Sequence, residues 1–335
     1  MKTTGFFFTL LAAAGILTAC SNNEAVQPTN EGQEISFRLQ GGTPAMRTTA
    51  TTIASIDAFV VYGTDNVFAA NSDLIFDGVT VSRNLSSGTP NTFTYAPKRY
   101  YGTGATNAGF FAFSPASAKI DNVDITTFTT GASFDYTVPV PDASGNITQE
   151  DLLVASSGLV VPSATPVSLD FTHALSRIFV TATNSTDDPV IITGLTLKNL
   201  ITTGTLNVDP ASAWSWTPSA AIDDYAYVLA PTGVAVPATT GIKTLVTSME
   251  QGMMVLPQET VNTNDDEIFD LNDFALQVNY TFANLGSQTE YVLIKDAFEF
   301  EANNQYQINI NFTGLAIEFE IDVLPFDAPV EVTYP

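Results

Sequence analysis

Apolar residues in this chain recur with a period of two, in short bursts that run almost from end to end. Near the start, Ile35, Phe37 and Leu39 alternate with Ser36 and Arg38; near the end, Ile317, Phe319, Ile321 and Val323 alternate with Glu318, Glu320 and Asp322. Between them come residues 56–62, 93–95, 109–113, 134–138, 151–155, 169–171, 178–180, 191–192, 274–278 and 306–310, each rich in β-branched or aromatic residues and bounded by Gly, Pro, Asn or Ser. Such runs are strands closed by turns. No stretch beyond the first twenty residues keeps a 3.6-residue apolar period over three turns, so the sequence predicts an all-β body of β-sandwich type.

The leader sets the compartment. Lys2 supplies a positive start, Phe6 to Leu17 are apolar, and the run stops at Thr18-Ala19-Cys20. An apolar stretch of about 12 residues is too short for a hydrocarbon core that needs about 20 helical residues, so it reads as a signal peptide, residues 1–19. The segment Leu17-Thr18-Ala19-Cys20 resembles a bacterial lipobox, which makes Cys20 the expected lipidation site. A multiply acylated Cys holds a protein on a membrane where a single chain does so only marginally. Residues 20–33, polar and without period, are the expected lipidated tether. Cys20 is the only Cys, which excludes an internal disulfide.

With 11 Lys and Arg against 35 Asp and Glu, the formal net charge is −24. Nucleic acid is therefore excluded as a partner, since phosphate backbones need basic patches. Only 14% of residues are charged while 45% are hydrophobic, with 23 Phe, and that balance belongs to a folded, core-rich body. A Pro- and Ser-rich break at residues 161–166 divides the strand series, and the expected domains are 34–166 and 167–335.

Catalytic sets are missing from the pattern. His173 is the only His and Cys20 is committed to the anchor, which leaves no Ser/His or Cys/His pair and no His/Cys zinc set. No catalytic residue, metal or cofactor is expected. His173 reads as a packing or hydrogen-bonding residue at a domain start. The acidic run Asp265-Asp266-Glu267, with Asp270 and Asp273, lacks the glycine and spacing of a calcium loop. Trp214 and Trp216, two apart, would share one face of a strand; they are candidate sugar-stacking residues, against the commoner outcome of packing.

Several separate pieces resemble the fimbrillin family of Bacteroidales. They are Ala96-Pro97-Lys98-Arg99-Tyr100-Tyr101 leading into residues 110–115, then residues 151–155, Leu169-Asp170-Phe171-Thr172-His173-Ala174-Leu175-Ser176, Met254-Val255-Leu256-Pro257-Gln258, and Asn303 to Ile308. Leu324-Pro325-Phe326 departs from the pattern, which has a Trp near the end of the last core strand. The resemblance implies two transthyretin-like β-sandwich domains in tandem and a lipoprotein precursor carried to the cell outer membrane, facing outward. It also implies an Arg-specific protease that removes the first strand, neighbouring pilin subunits as partners, and assembly into a fimbrium that supports adhesion. Carried onto this chain, Ile35, Phe37 and Leu39 are the leaving strand, Arg47 the cleavage site, and Val330, Val332 and Tyr334 the donor strand. The alternative is a non-polymerising surface lipoprotein that binds glycans or an envelope partner.

Overall fold

A computed structural model describes residues 32–40, 56–67, 74–84, 92–127, 131–140, 149–209, 214–220, 222–238, 241–247, 252–260, 269–270, 273–282, 286–294, 298–314 and 316–326. Among them every regular element is a strand, as the period-two pattern predicts.

A six-stranded sheet runs in the order β10 (Thr172–His173), β8 (Leu153–Val160), β5 (Ala108–Ser114), β2 (Ala58–Asp65), β3 (Phe76–Arg83), β4 (Phe93–Thr94). Its two faces lie on two different cores. Phe59, Val61, Phe110 and Ala112 point to one, where they meet β1 (Phe37–Leu39) and β9 (Val167–Leu169), a parallel pair. Val60, Phe111, Phe113 and Val154 point to the other. There they meet a four-stranded sheet in the order β14 (Trp214–Pro218), β13 (Thr203–Val208), β7 (Gly131–Thr137), β6 (Ile120–Thr127). This explains the run Gly109-Phe110-Phe111-Ala112-Phe113: β5 is buried along its whole length, and a strand covered on both faces loses its alternation. Gly63 on β2 is dictated by the same crowding, because a Cβ there would overlap the Phe110 ring on β5.

The remaining strands form a sandwich. One sheet has the order β17 (Thr244–Leu245), β11 (Ser176–Asn184), β23 (Asn304–Phe312), β24 (Ile317–Pro325), with β18 (Met253–Val255) also on β11. The other has β15 (Ile222–Tyr227), β12 (Val190–Ile201), β20 (Ala275–Phe282), β21 (Gly286–Leu293), with β16 (Val234–Val236) also on β12. The core between them includes Ile178, Val180, Ile192, Leu197, Val278, Tyr280, Ile308 and Phe312, all essentially inaccessible. A short pair, β19 (Gln258–Glu259) with β22 (Glu299–Phe300), completes the strands.

Strand pairing crosses the expected boundary at residue 166. The strands that follow it, β9 and β10, pair with β1 and β8, and β13 pairs with β7 over Thr203 to Val208. The break at residues 161–166 therefore connects two strands of the same half. Pro and Ser mark where a chain leaves a strand; they carry no information about which core the next strand joins.

Candidate functional site: the groove around the first strand

The first strand carries its apolar residues inward, as a period of two requires. Ile35, Phe37 and Leu39 are 1%, 3% and 5% exposed, while Arg38 points out and donates from Nε to Ser168 Oγ at 3.2 Å. The Phe37 ring fills an all-aromatic pocket, edge-on to Phe76 at 5.2 Å, Phe110 at 5.5 Å and Phe59 at 6.2 Å, and tilted against Tyr95 at 6.2 Å. Edge-to-face geometry suits the ring quadrupoles.

Both edges of the strand are held by backbone. On one side β9 runs parallel to it: the Val167 N–H donates to Ser36 O at 2.7 Å and the Gln40 N–H to Leu169 O at 2.9 Å. On the other side an antiparallel bridge joins Glu34 to Tyr100. There the Ile35 N–H donates to Arg99 O at 3.0 Å and the Tyr101 N–H to Gln33 O at 3.1 Å. The Tyr95 hydroxyl donates to Ile35 O. Burial pushes that hydroxyl up to about 12 from its ordinary value near 10, and does the same for Tyr101, with the Asp65 charge adding to the effect on Tyr101.

The wall formed by residues 95–101 also places charge. Lys98 Nζ lies 2.5 Å from Glu34 Oε1 and 5.4 Å from the centre of the Tyr95 ring, with both charged side chains about half exposed. Arg99 turns the other way, donating from Nη1 to Ile75 O at 2.6 Å with its guanidinium over the Phe76 ring. The piece Ala96 to Tyr101, legible in the sequence only as a family marker, is thus the wall that grips the first strand. Sequence reasoning missed Tyr95, Lys98, Tyr101 and β9 as groove residues, because the alternation of a strand reports its buried face and not its neighbours.

The other predicted positions fall as follows. Cys20, Arg47, Val330, Val332 and Tyr334 lie outside the described residues. Of the five arginines in the sequence, the four besides Arg47 are held by folded segments: Arg38 and Arg99 as above, Arg83 by Ile56 O at 2.6 Å, and Arg177 fully buried with its guanidinium 4.5 Å from the Phe179 ring centre. Trp214 and Trp216 share a face of β14, and that face is turned to the core beneath the four-stranded sheet, both indoles being half-buried against it. The Trp216 N–H donates to Ala174 O at 2.7 Å. The pair thus packs against this core while remaining half exposed, and its sugar-stacking role stays an expectation. His173 Nδ1 lies 2.9 Å from Asp151 Oδ1, and its ring stacks on Phe326 at 3.8 Å. In the acidic run, Asp273 is buried and accepts the Asp270 N–H at 2.8 Å, while residues 265–267 lie outside the described residues. Among the described residues no group of three or more His, Cys, Asp or Glu stands close enough to hold a metal ion.

The sequence model of a family described as fimbrillin-like matches residues 46–325. No curated protein matches the chain. The fold is similar to the crystal structure of a fimbrial protein from Bacteroides vulgatus, with TM-score 0.56, 14% identity, and coverage of 87% of this chain and 99% of that one. It is similar to a candidate cell adhesion protein from Bacteroides ovatus, with TM-score 0.52, 14% identity, and coverage of 91% and 100%. A candidate cell adhesion protein from Bacteroides uniformis gives TM-score 0.51, 18% identity, and coverage of 88% and 99%.

Proposed function

The chain belongs to the fimbrillin-like family, and from that membership we propose that it is a shaft or accessory subunit of a cell-surface fimbria, assembled by strand exchange. The family is one of structural pilus subunits rather than enzymes, and its place is the cell-surface fimbrium, in association with other fimbrial subunits. The finer reading is our own. The precursor is anchored in the outer membrane through Cys20, an Arg-specific protease cuts after Arg47, the strand bearing Ile35, Phe37 and Leu39 leaves, and a neighbour's strand bearing Val330, Val332 and Tyr334 takes its place. The two-domain division belongs to the same proposal, with β9, β10, β13 and β14 counted in the N-terminal unit.

The observation that carries this reading is the groove. The first strand is bonded to backbone on both edges and packs three apolar side chains into pockets. As the first strand of the described body, it can withdraw without another strand having to thread past it. Its departure would bare about 1.5–3 kcal/mol of buried side chain at each apolar position and a row of unpaired backbone groups, which is the template that strand addition uses. Arg47 is the arginine that in sequence follows the first strand and precedes the next apolar run, where a loop would offer it to a protease.

The test is to treat the unlipidated full-length protein with an Arg-specific protease, then read intact mass and run a denaturant-resistant gel, beside an Arg47→Gln variant. We expect one cut, after Arg47, followed by a ladder of oligomers, with both lost in the variant. Scattered cuts without a ladder would remove the strand-exchange reading.

A further inference from the structure

The strand β24 leaves one long edge of the molecule open. One side of it is bonded to β23 over its whole length, from Ile317 opposite Phe312 to Pro325 opposite Asn304, and among the described residues no strand pairs with the other side. Proteins usually shorten, twist or cover such an edge; here it runs for nine residues. Its two faces differ in chemistry. Ile317, Phe319, Ile321 and Val323 lie on the core side of the sheet, but only Ile317 and Ile321 pack against the core, and Phe319 and Val323 are 37% and 54% exposed. Glu318, Glu320 and Asp322 take the opposite face, the first two exposed and Asp322 accepting the Asn309 Nδ2–H at 2.7 Å. No Lys or Arg stands on β24, on its partner β23, or on β21 at the edge of the facing sheet.

We propose that the open edge of β24 docks a basic, amphipathic segment of a different protein, an extended chain that alternates Lys or Arg with apolar residues. A strand added to an edge continues both faces of the sheet it joins. Its side chains lie about 4.5–5.5 Å from their cross-strand neighbours. Alternate residues of the guest therefore meet Phe319 and Val323 on one face and the three carboxylates on the other. Apolar side chains suit the first row and cations the second. A second copy of this chain does not supply that pattern. Pairing β24 with β24 sets carboxylates against carboxylates, which destabilises a sheet, and no two Lys or Arg in the sequence stand two residues apart. The edge belongs to the sandwich whose core holds Ile178 and Ile308, apart from the groove of the first strand, and it needs no strand exchange to form.

The test uses the uncut, unlipidated full-length protein and three end-blocked peptides of equal length. One alternates Lys with Val, one alternates Glu with Val, and one has the composition of the first with its lysines and valines in separate blocks. Binding is read by calorimetry at low and high salt, and the site by hydrogen exchange. The alternating Lys peptide should bind saturably, weaken at high salt, and slow exchange in residues 317–324 while leaving the Ile35, Gln40 and Val167 amides unchanged. The other two peptides should bind about tenfold more weakly or worse. Glu318→Lys with Glu320→Lys should weaken the Lys peptide about tenfold and admit the Glu peptide, and Phe319→Ser with Val323→Ser should weaken it by a similar factor. All four side chains are exposed, and urea unfolding checks that both variants keep the fold. Equal binding of the block peptide would mean charge attraction without strand addition and would overturn the proposal. So would equal binding of the Glu peptide, protection outside β24, or no binding of any peptide. Oligomers of the peptide-free protein with residues 317–324 protected would assign the edge to a second copy and overturn the foreign partner.

Discussion

Replacing Phe37 with Ala should weaken the precursor severely and leave the assembled fibre untouched. The ring is 3% exposed and touches four aromatic rings at centroid distances from 5.2 to 6.2 Å. Truncating a Phe in such a site costs about 3–5 kcal/mol, the transfer free energy plus the cavity left behind. Against a total stability of about 5–15 kcal/mol, that is a large fraction. It corresponds to about a 150- to 4000-fold rise in the population with the strand released, at 1.4 kcal/mol per tenfold. The assay is hydrogen exchange at the Ile35, Gln40 and Val167 amides, all bonded across the strand's edges, together with urea unfolding of the precursor. An Arg38→Ala variant controls for the outward face. After processing, oligomers from Phe37→Ala and wild type should resist urea equally, because the altered residue has left, and the variant should assemble faster. A precursor loss below about 1 kcal/mol would refute the packing argument, and oligomers that inherit the variant's weakness would refute the departure of the strand.

Other consequences concern the groove walls and the indole pair. Because burial holds the Tyr95 and Tyr101 hydroxyls up to about 12, the folded state keeps these protons more tightly than the unfolded chain. Their contribution to stability is complete below pH 10 and is lost as pH rises from 10 through about 12. Exchange of the first-strand amides should quicken across that window, and Tyr95→Phe, which lacks the hydroxyl, should quicken exchange by a small constant factor at neutral pH while flattening the alkaline rise. Trp216→Phe should cost about 1–3 kcal/mol in urea unfolding, because it leaves the buried Ala174 carbonyl without its 2.7 Å donor. Glycan-array binding that survives the Trp214→Ala, Trp216→Ala pair would refute the sugar-stacking expectation.

Much of the fold was legible because strands announce their buried face. Ile35, Phe37 and Leu39 alternate and are buried; β5 does not alternate and is covered on both faces. What the sequence withheld is pairing. The parallel match of Phe37 with Val167 spans most of the N-terminal half, and nothing in three residues of either strand selects the other; the choice is made by the aromatic core that both complete. The same gap hid the strand pairings that cross residue 166 and the role of Lys98, whose charge matters only because the Glu34 to Tyr100 bridge brings Glu34 beside it. His173 was legible as a packing and hydrogen-bonding residue, while its stacking on Phe326 at the base of the tail depends on a residue 153 positions away.

Strand exchange requires that the first strand be an exchangeable occupant of its groove. The most direct measurement is to digest the full-length protein with an Arg-specific protease, separate monomers from oligomers, and look by mass spectrometry under native conditions for the fragment that ends at Arg47. Cut monomers should retain the fragment, held by its pockets and backbone bonds, and oligomers should lack it. Oligomers that still carry the fragment in equal ratio to the chain would contradict strand exchange.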